Sequence, residues 1–168
     1  MRKTALILAG GTALMLGGCG SETSGEFKTA DGKDAEYTVD KETGETTMTV
    51  EGPDGEASLR SGANVPVTLP DGFTLFPGSK VVTNTLVNQP DGQGTMITFE
   101  AEDPAEKVVA HYRDAAKAAG FDIQLEMNTN GTRVIGGERK ADGSSLSVTA
   151  TDGEPTTGQI IIGSKTGG

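Results

Sequence analysis

Between residues 95 and 151 the chain alternates apolar and polar positions with a period of two. Thr95, Ile97 and Phe99 fall on one side of an extended segment, with Met96, Thr98 and Glu100 on the other. Phe121, Ile123, Leu125 and Met127 alternate with Asp122, Gln124 and Glu126; Leu146, Val148 and Ala150 alternate with Ser147, Thr149 and Thr151. One dry side and one wet side mark an antiparallel sheet covered on a single face. Val81–Val87, Arg133–Arg139 and Gln159–Ile162 supply further strands. Upstream, Ala35–Val39, Thr46–Val50 and Glu56–Leu59 are shorter and poorer in apolar residues. They predict a meander that extends the larger sheet, because so thin an apolar face does not hold alone.

The period changes to that of a helix once. Val108, Val109, Tyr112, Ala115, Ala116 and Ala119 form an apolar stripe, which predicts a helix over about residues 104–119. Asp103 is placed to cap it, Pro104 to occupy the first helical position, and Glu106 to complete a capping box. Gly120 ends it. Asp-Gly recurs at Asp31-Gly32, Asp54-Gly55, Asp71-Gly72, Asp91-Gly92, Asp142-Gly143 and Asp152-Gly153, as expected of tight turns between short strands. Between the two blocks, Val65 to Gly78 carries Pro66, Pro70 and Pro77. Three prolines exclude a central strand or a helix and leave an extended segment laid across the fold, with Phe73 and Phe76 as its anchors.

These elements predict an α+β fold: an antiparallel sheet made of a β-meander and a ββαββββ-like unit, with one main helix packed on one face. The expected organisation is a short-stranded meander over 27–62 and an α+β domain over 63–168, continuous as one globular unit. At 168 residues, with hydrophobic residues at 34% and no Trp, the core is modest.

Charge narrows the function. The formal net charge is −10, which repels nucleic acid and anionic headgroups; no nucleic-acid partner is expected.

The N-terminus is informative. Arg2 and Lys3 precede an uncharged, mostly apolar run from Thr4 to Leu16, the pattern of an export signal. That run is too short to span a bilayer as a helix. Leu16-Gly17-Gly18-Cys19 then places the single cysteine behind two small residues, where apolar sequence gives way to polar. This resembles the lipobox of bacterial lipoproteins. The resemblance implies a signal peptide over 1–18, cleavage between Gly18 and Cys19, and a covalent diacylglycerol and acyl chain (palmitate, for example) on Cys19. Loss of Arg2 and Lys3 would leave 12 basic against 24 acidic side chains, or −12. Residues 19–26 read as a flexible tether. Gly20 follows the cysteine where an aspartate would signal inner-membrane retention, so the periplasmic face of the outer membrane is expected over the inner membrane.

The run from Leu69-Pro70-Asp71-Gly72-Phe73 through Phe76-Pro77-Gly78, then Pro104 to Ala119-Gly120-Phe121, looks like a recurring type of small proteobacterial envelope lipoprotein. The resemblance covers about residues 65–162 and brings no activity and no site residues.

No catalytic motif is present. His111 is the only histidine and sits beside the helical stripe, so it reads as a surface residue. Ser79-Lys80 and Ser164-Lys165 are adjacent pairs that diverge in a strand. Ile135-Gly136-Gly137 lacks the strand–turn–helix setting of a phosphate loop. Asp31-Gly32-Lys33-Asp34 and Pro90-Asp91-Gly92-Gln93 lack the spaced acids of a calcium loop. Catalytic and metal residues are therefore expected to be none, and no cofactor beyond the lipid. The reading is a lipid-anchored envelope protein acting as a non-enzymatic binding or interaction module, with an envelope protein or glycan as partner. Two alternatives stand beside it: a small carboxylate-dependent hydrolase or sugar-binding protein, and divalent-cation binding at the Asp-Gly loops.

Overall fold

In the computed structural model, which describes residues 21–53 and 55–165, the alternating segments pair into one antiparallel sheet. β1 (Glu22–Lys28), β2 (Asp34–Asp40), β3 (Thr46–Gly52) and β4 (Gly55–Gly62) form a meander. β5 (Lys80–Gln89) and β6 (Gly92–Ala101) lead into α1 (Ala105–Ala118). β7 (Asp122–Thr129), β8 (Thr132–Arg139), β9 (Ser144–Thr151) and β10 (Thr156–Lys165) follow. The spatial order is β1-β2-β3-β4-β5-β6-β10-β9-β8-β7. β4 joins β5 from Ser58 opposite Asn88 to Gly62 opposite Asn84, so the meander continues the larger sheet. Among the described residues the class is α+β, mostly antiparallel sheet with a single helix.

α1 packs on β7–β10. Its Val108, Val109, Tyr112 and Ala116 are buried in one core with a row of facing strand residues. That row runs Ile135, Val148, Ile160, Ile97, each opposite the next on the neighbouring strand. Each such side chain contributes about 1.5–3 kcal/mol relative to exposure. Among the described residues no helix is long and apolar enough to cross a membrane.

Three expectations are corrected. The first concerns the tether: Glu22–Glu26 are not loose but form most of β1, paired with β2 from Glu22 opposite Asp40 to Lys28 opposite Asp34. Burial does not drive this, since β1 is almost wholly exposed. The open backbone of β2 does, by offering a ladder that β1 completes. Gly25 lets the Tyr37 ring cross the strand, with Tyr37 Cζ 2.9 Å from where a Cβ would sit.

The second concerns the helix start. Pro104 is the N-cap and makes no side-chain cap bond. Asp103 pairs with Lys107 at 2.8 Å instead. The cap comes from Asp152, whose Oδ1 accepts the Ala105 N–H at 2.7 Å. A carboxylate satisfies an orphan helix donor equally well from another segment.

The third concerns β7. Ile123 opposes Gly137 and Leu125 opposes Gly136, so Gln124 is an extra residue. A bulge shifts the alternation by one position. Ile123 stays on the helix side, whereas Leu125 and Met127 turn to the opposite face and stand 51% and 48% exposed. Glu126 comes to the helix side in their place and pairs with Arg113. The Asp-Gly pairs also divide: Gly32 and Gly143 take positive φ (84° and 69°), whereas Gly92 and Gly153 do not. Asp54 lies outside the described residues.

Candidate functional site

The proline-rich segment crosses the helix side of the sheet as a strap, pinned at two places. Near its start, Asn84 is fully buried on β5. Its Nδ2 donates to the Pro66 carbonyl at 2.9 Å and the Val65 carbonyl at 3.4 Å, while its Oδ1 accepts from Thr95 Oγ1 at 3.1 Å. Near its end, the Phe76 N–H donates to the buried Tyr112 hydroxyl at 3.0 Å. Burial raises the Tyr112 pKa, so that hydroxyl stays neutral. Phe73 meets Phe121 edge-on at 5.8 Å. His111 packs edge-on against Phe76 at 5.5 Å, with Nε2 3.4 Å from the Thr74 carbonyl. It seats the strap on the helix and is one of its structural contacts.

Between the two pins the strap roofs a half-open groove of about 520 Å³. Thr68, Leu69 and Pro70 form the roof; Leu86, Thr95 and Ile162 lie beneath; Asn88, Gln93 and Ser164 reach the mouth. The far wall is Arg139, Asp142 and Ser144 of the β8–β9 hairpin. Size and lining fit a ligand site: apolar walls with a few convergent polar groups.

The only charges in that lining cancel. Arg139 Nη2 meets Asp142 Oδ2 at 2.7 Å, and its Nε lies 3.1 Å from both carboxylate oxygens. Arg139 also donates to the Ala119 carbonyl and Ser144 Oγ, each at 3.4 Å, and its guanidinium lies over the Phe121 ring at 5.0 Å. It clamps the helix C-terminus to the hairpin and is already committed to these partners. What faces a ligand is therefore amide and hydroxyl.

Arg139, and then the Ser144 N–H at 3.0 Å, hold the Asp142 carboxyl well below the usual carboxylate range. A depressed folded pKa contributes stability above the unfolded value of about 4 that is lost as pH falls through the folded value. Asp142→Asn should therefore lose less of its urea midpoint than the parent between pH 5 and pH 2. Equal losses would show the pair to be inert.

Asp31 and Asp142, from two of the Asp-Gly loops, lie against Lys33 and Arg139. Among the described residues no three His, Cys, Asp or Glu side chains gather into a metal-sized cluster. Lys80 lies opposite Glu100 on β6, but among the described residues neither Ser79-Lys80 nor Ser164-Lys165 forms an ion pair or side-chain hydrogen bond with an acid, and the groove holds one carboxylate only. Gly18 and Cys19, where cleavage and lipidation are expected, lie outside the described residues. The groove itself escaped sequence reading. Its signal was the buried asparagine inside an otherwise strand-like run, which needs a backbone partner.

Residues 81–159, just under half of the chain, match a START domain-like family model. The matched stretch holds most of the groove floor and the whole of α1, and omits the strap and the meander. No curated protein and no solved structure matches the chain.

Proposed function

We propose that this chain is a lipid-anchored, non-enzymatic binding protein of the bacterial envelope, whose groove takes a neutral glycan segment. Cys19 would carry the diacylglycerol and acyl chain, and the head would face the periplasm from the outer membrane. β5 to β10 with α1 would act as a ββαββββ unit that presents the groove. The observation that carries this reading is the groove's neutrality in a chain of net charge −10. Asn88, Gln93, Ser164 and Thr68 offer hydrogen bonds to hydroxyl or acetamido groups, and Leu69, Pro70 and Ile162 offer an apolar wall to a ring face. The START domain-like match is consistent with a ligand-holding fold, although fold alone does not assign a ligand. A carboxylate-dependent hydrolase is less well supported: glycoside hydrolysis uses two carboxyl groups, and Asp142 has no second acid beside it in the groove.

The test has two arms. With labelled palmitate, the parent chain should be labelled and Cys19→Ser should not; an unlabelled parent removes the anchor. A neutral N-acetylated disaccharide should shift the amide resonances of Gln93 and Ser164, and Thr68→Trp, which fills the groove, should weaken that binding at least tenfold. Unmoved resonances at saturating sugar would remove the glycan.

A further inference from the structure

Among the described residues nothing covers the sheet's other face, and that face is nearly free of charge. The cross-strand register traces one row of it from Thr23 on β1 to Leu125 on β7. Its central members are Val39, Thr46, Ser61, Thr85, Met96 and Ile161, each opposite the next. No charged residue occurs anywhere along that row. Charges enter this face only toward its ends, as Lys80 opposite Glu100, Lys165, and Glu138 opposite Asp122.

The meander makes the segregation sharper. Every charged residue of β1 to β4, from Glu26 and Glu36 to Glu51 and Arg60, lies on the helix side, which α1 does not reach. Its apolar residues, Phe27, Tyr37, Met48, Val50 and Leu59, all lie on the bare side. Of the seven large hydrophobic side chains left exposed among the described residues, six are on that face: Phe27, Tyr37, Met96, Leu125, Met127 and Ile161. Along a strand, alternation with one dry side means that something covers the dry side. In the meander no described residue does.

We propose that this bare face stacks on the same face of a second copy, forming a two-fold β-sandwich between protomers. Area and charge select that occupant. Ten strands about 4.8 Å apart and three rows of side chains give about 800 Å² per face, the amount each partner of a standard stable interface buries. Two copies of net charge −10 repel, and only a face cleared of charge lets them approach to the roughly 10 Å spacing of packed sheets. A face of Thr, Ser, Gly, Val and Met is also compatible with itself, as a two-fold contact requires. With the axis along the strands at the middle of the sheet, the apolar meander of one copy covers β7–β10 of the other. The inference does not depend on the lipid or on the groove.

Met96 lies on the sixth of the ten strands and in the central row, so in such a stack it sits beside the two-fold axis, one strand spacing from its own counterpart. Cells making the full chain with Met96→Cys are treated with a thiol-to-thiol cross-linker of about 10 Å span, beside the parent chain and a Lys117→Cys control on the helix. Met96→Cys should give a cross-linked band of twice the chain mass, and Lys117→Cys should not. Adding Ile161→Glu, which puts a carboxylate from each copy into the contact, should cut that band at least tenfold. Ile161 is 40% exposed, so the single chain should keep its fold, and circular dichroism checks this. An accessible Met96→Cys thiol that never cross-links overturns the proposal, as does a band whose mass includes a different protein. Protection of that thiol together with labelling by a bilayer-resident photoprobe overturns it in favour of a lipid surface. A parent chain that itself dimerises through Cys19 would count against lipidation, leaving the comparison between Met96→Cys and parent to decide the stack.

Discussion

Gly158→Ala is expected to cost at least about 3 kcal/mol, at or above the usual upper range for overpacking a dense core. Gly158 is a buried position on β10, opposite Phe99 on β6 and Ala150 on β9. A Cβ there would enter the Phe99 ring, with Cε1 at 2.9 Å and two other ring atoms closer. Phe99 has no room to withdraw, being fully buried with the Tyr112 ring 5.9 Å away. The strand must therefore move, and with it the ladder to β6 and β9. Urea unfolding measures the loss. Phe99→Leu in the same chain should recover part of it, a coupling that neighbouring sites show and distant ones do not. An alanine variant within 0.5 kcal/mol of the parent would mean that the ring rotates away freely.

Asn84→Ala should destabilise by about 2–4 kcal/mol, the cost of leaving buried polar groups without partners. The Pro66 carbonyl and the Thr95 hydroxyl would lose their partner together. Its second consequence is functional. Asn84 is the pin at the roof end of the strap, so its loss frees Thr68 to Pro70 and opens the groove. Affinity for a groove ligand should fall more than in a variant of equal instability elsewhere. Hydrogen exchange checks the mechanism: protection should drop on either side of Pro66 and Pro70 before it drops in β9 or β10. Uniform loss across the sheet would mean that the strap is held by Tyr112 and the phenylalanines alone.

Both residues were visible in the chain, yet their roles were not. A glycine inside a strand signals close approach of something, but only the pairing of β10 with β6 identifies Phe99. A lone asparagine among Val81–Val87 signals a hydrogen-bond partner, but Val65 and Pro66 become that partner only when the strap folds back. The strands around Ile97, Val148 and Ile135 were legible because each has a dry and a wet side. The helix was legible because its stripe and its glycine stop agree. β7 misled, because four alternating apolar residues hide a bulge at Gln124 that the register alone reveals.

By itself the amino-acid order determined the α+β class, most of the strands, the helix α1, the turn-rich meander and the acidic surface. Those follow from local periodicity and local turn chemistry, which act within a few residues. Tertiary structure alone decided that Asp152 caps the helix, that Arg139 and Asp142 neutralise the groove, and that one row of the bare face runs uncharged from β1 to β7. The cap and the face join residues far apart in the chain, the Arg139–Asp142 pair is local but comes to lie under the strap only through the fold, and cross-strand register is settled by packing energy summed over the whole sheet, which no short window contains.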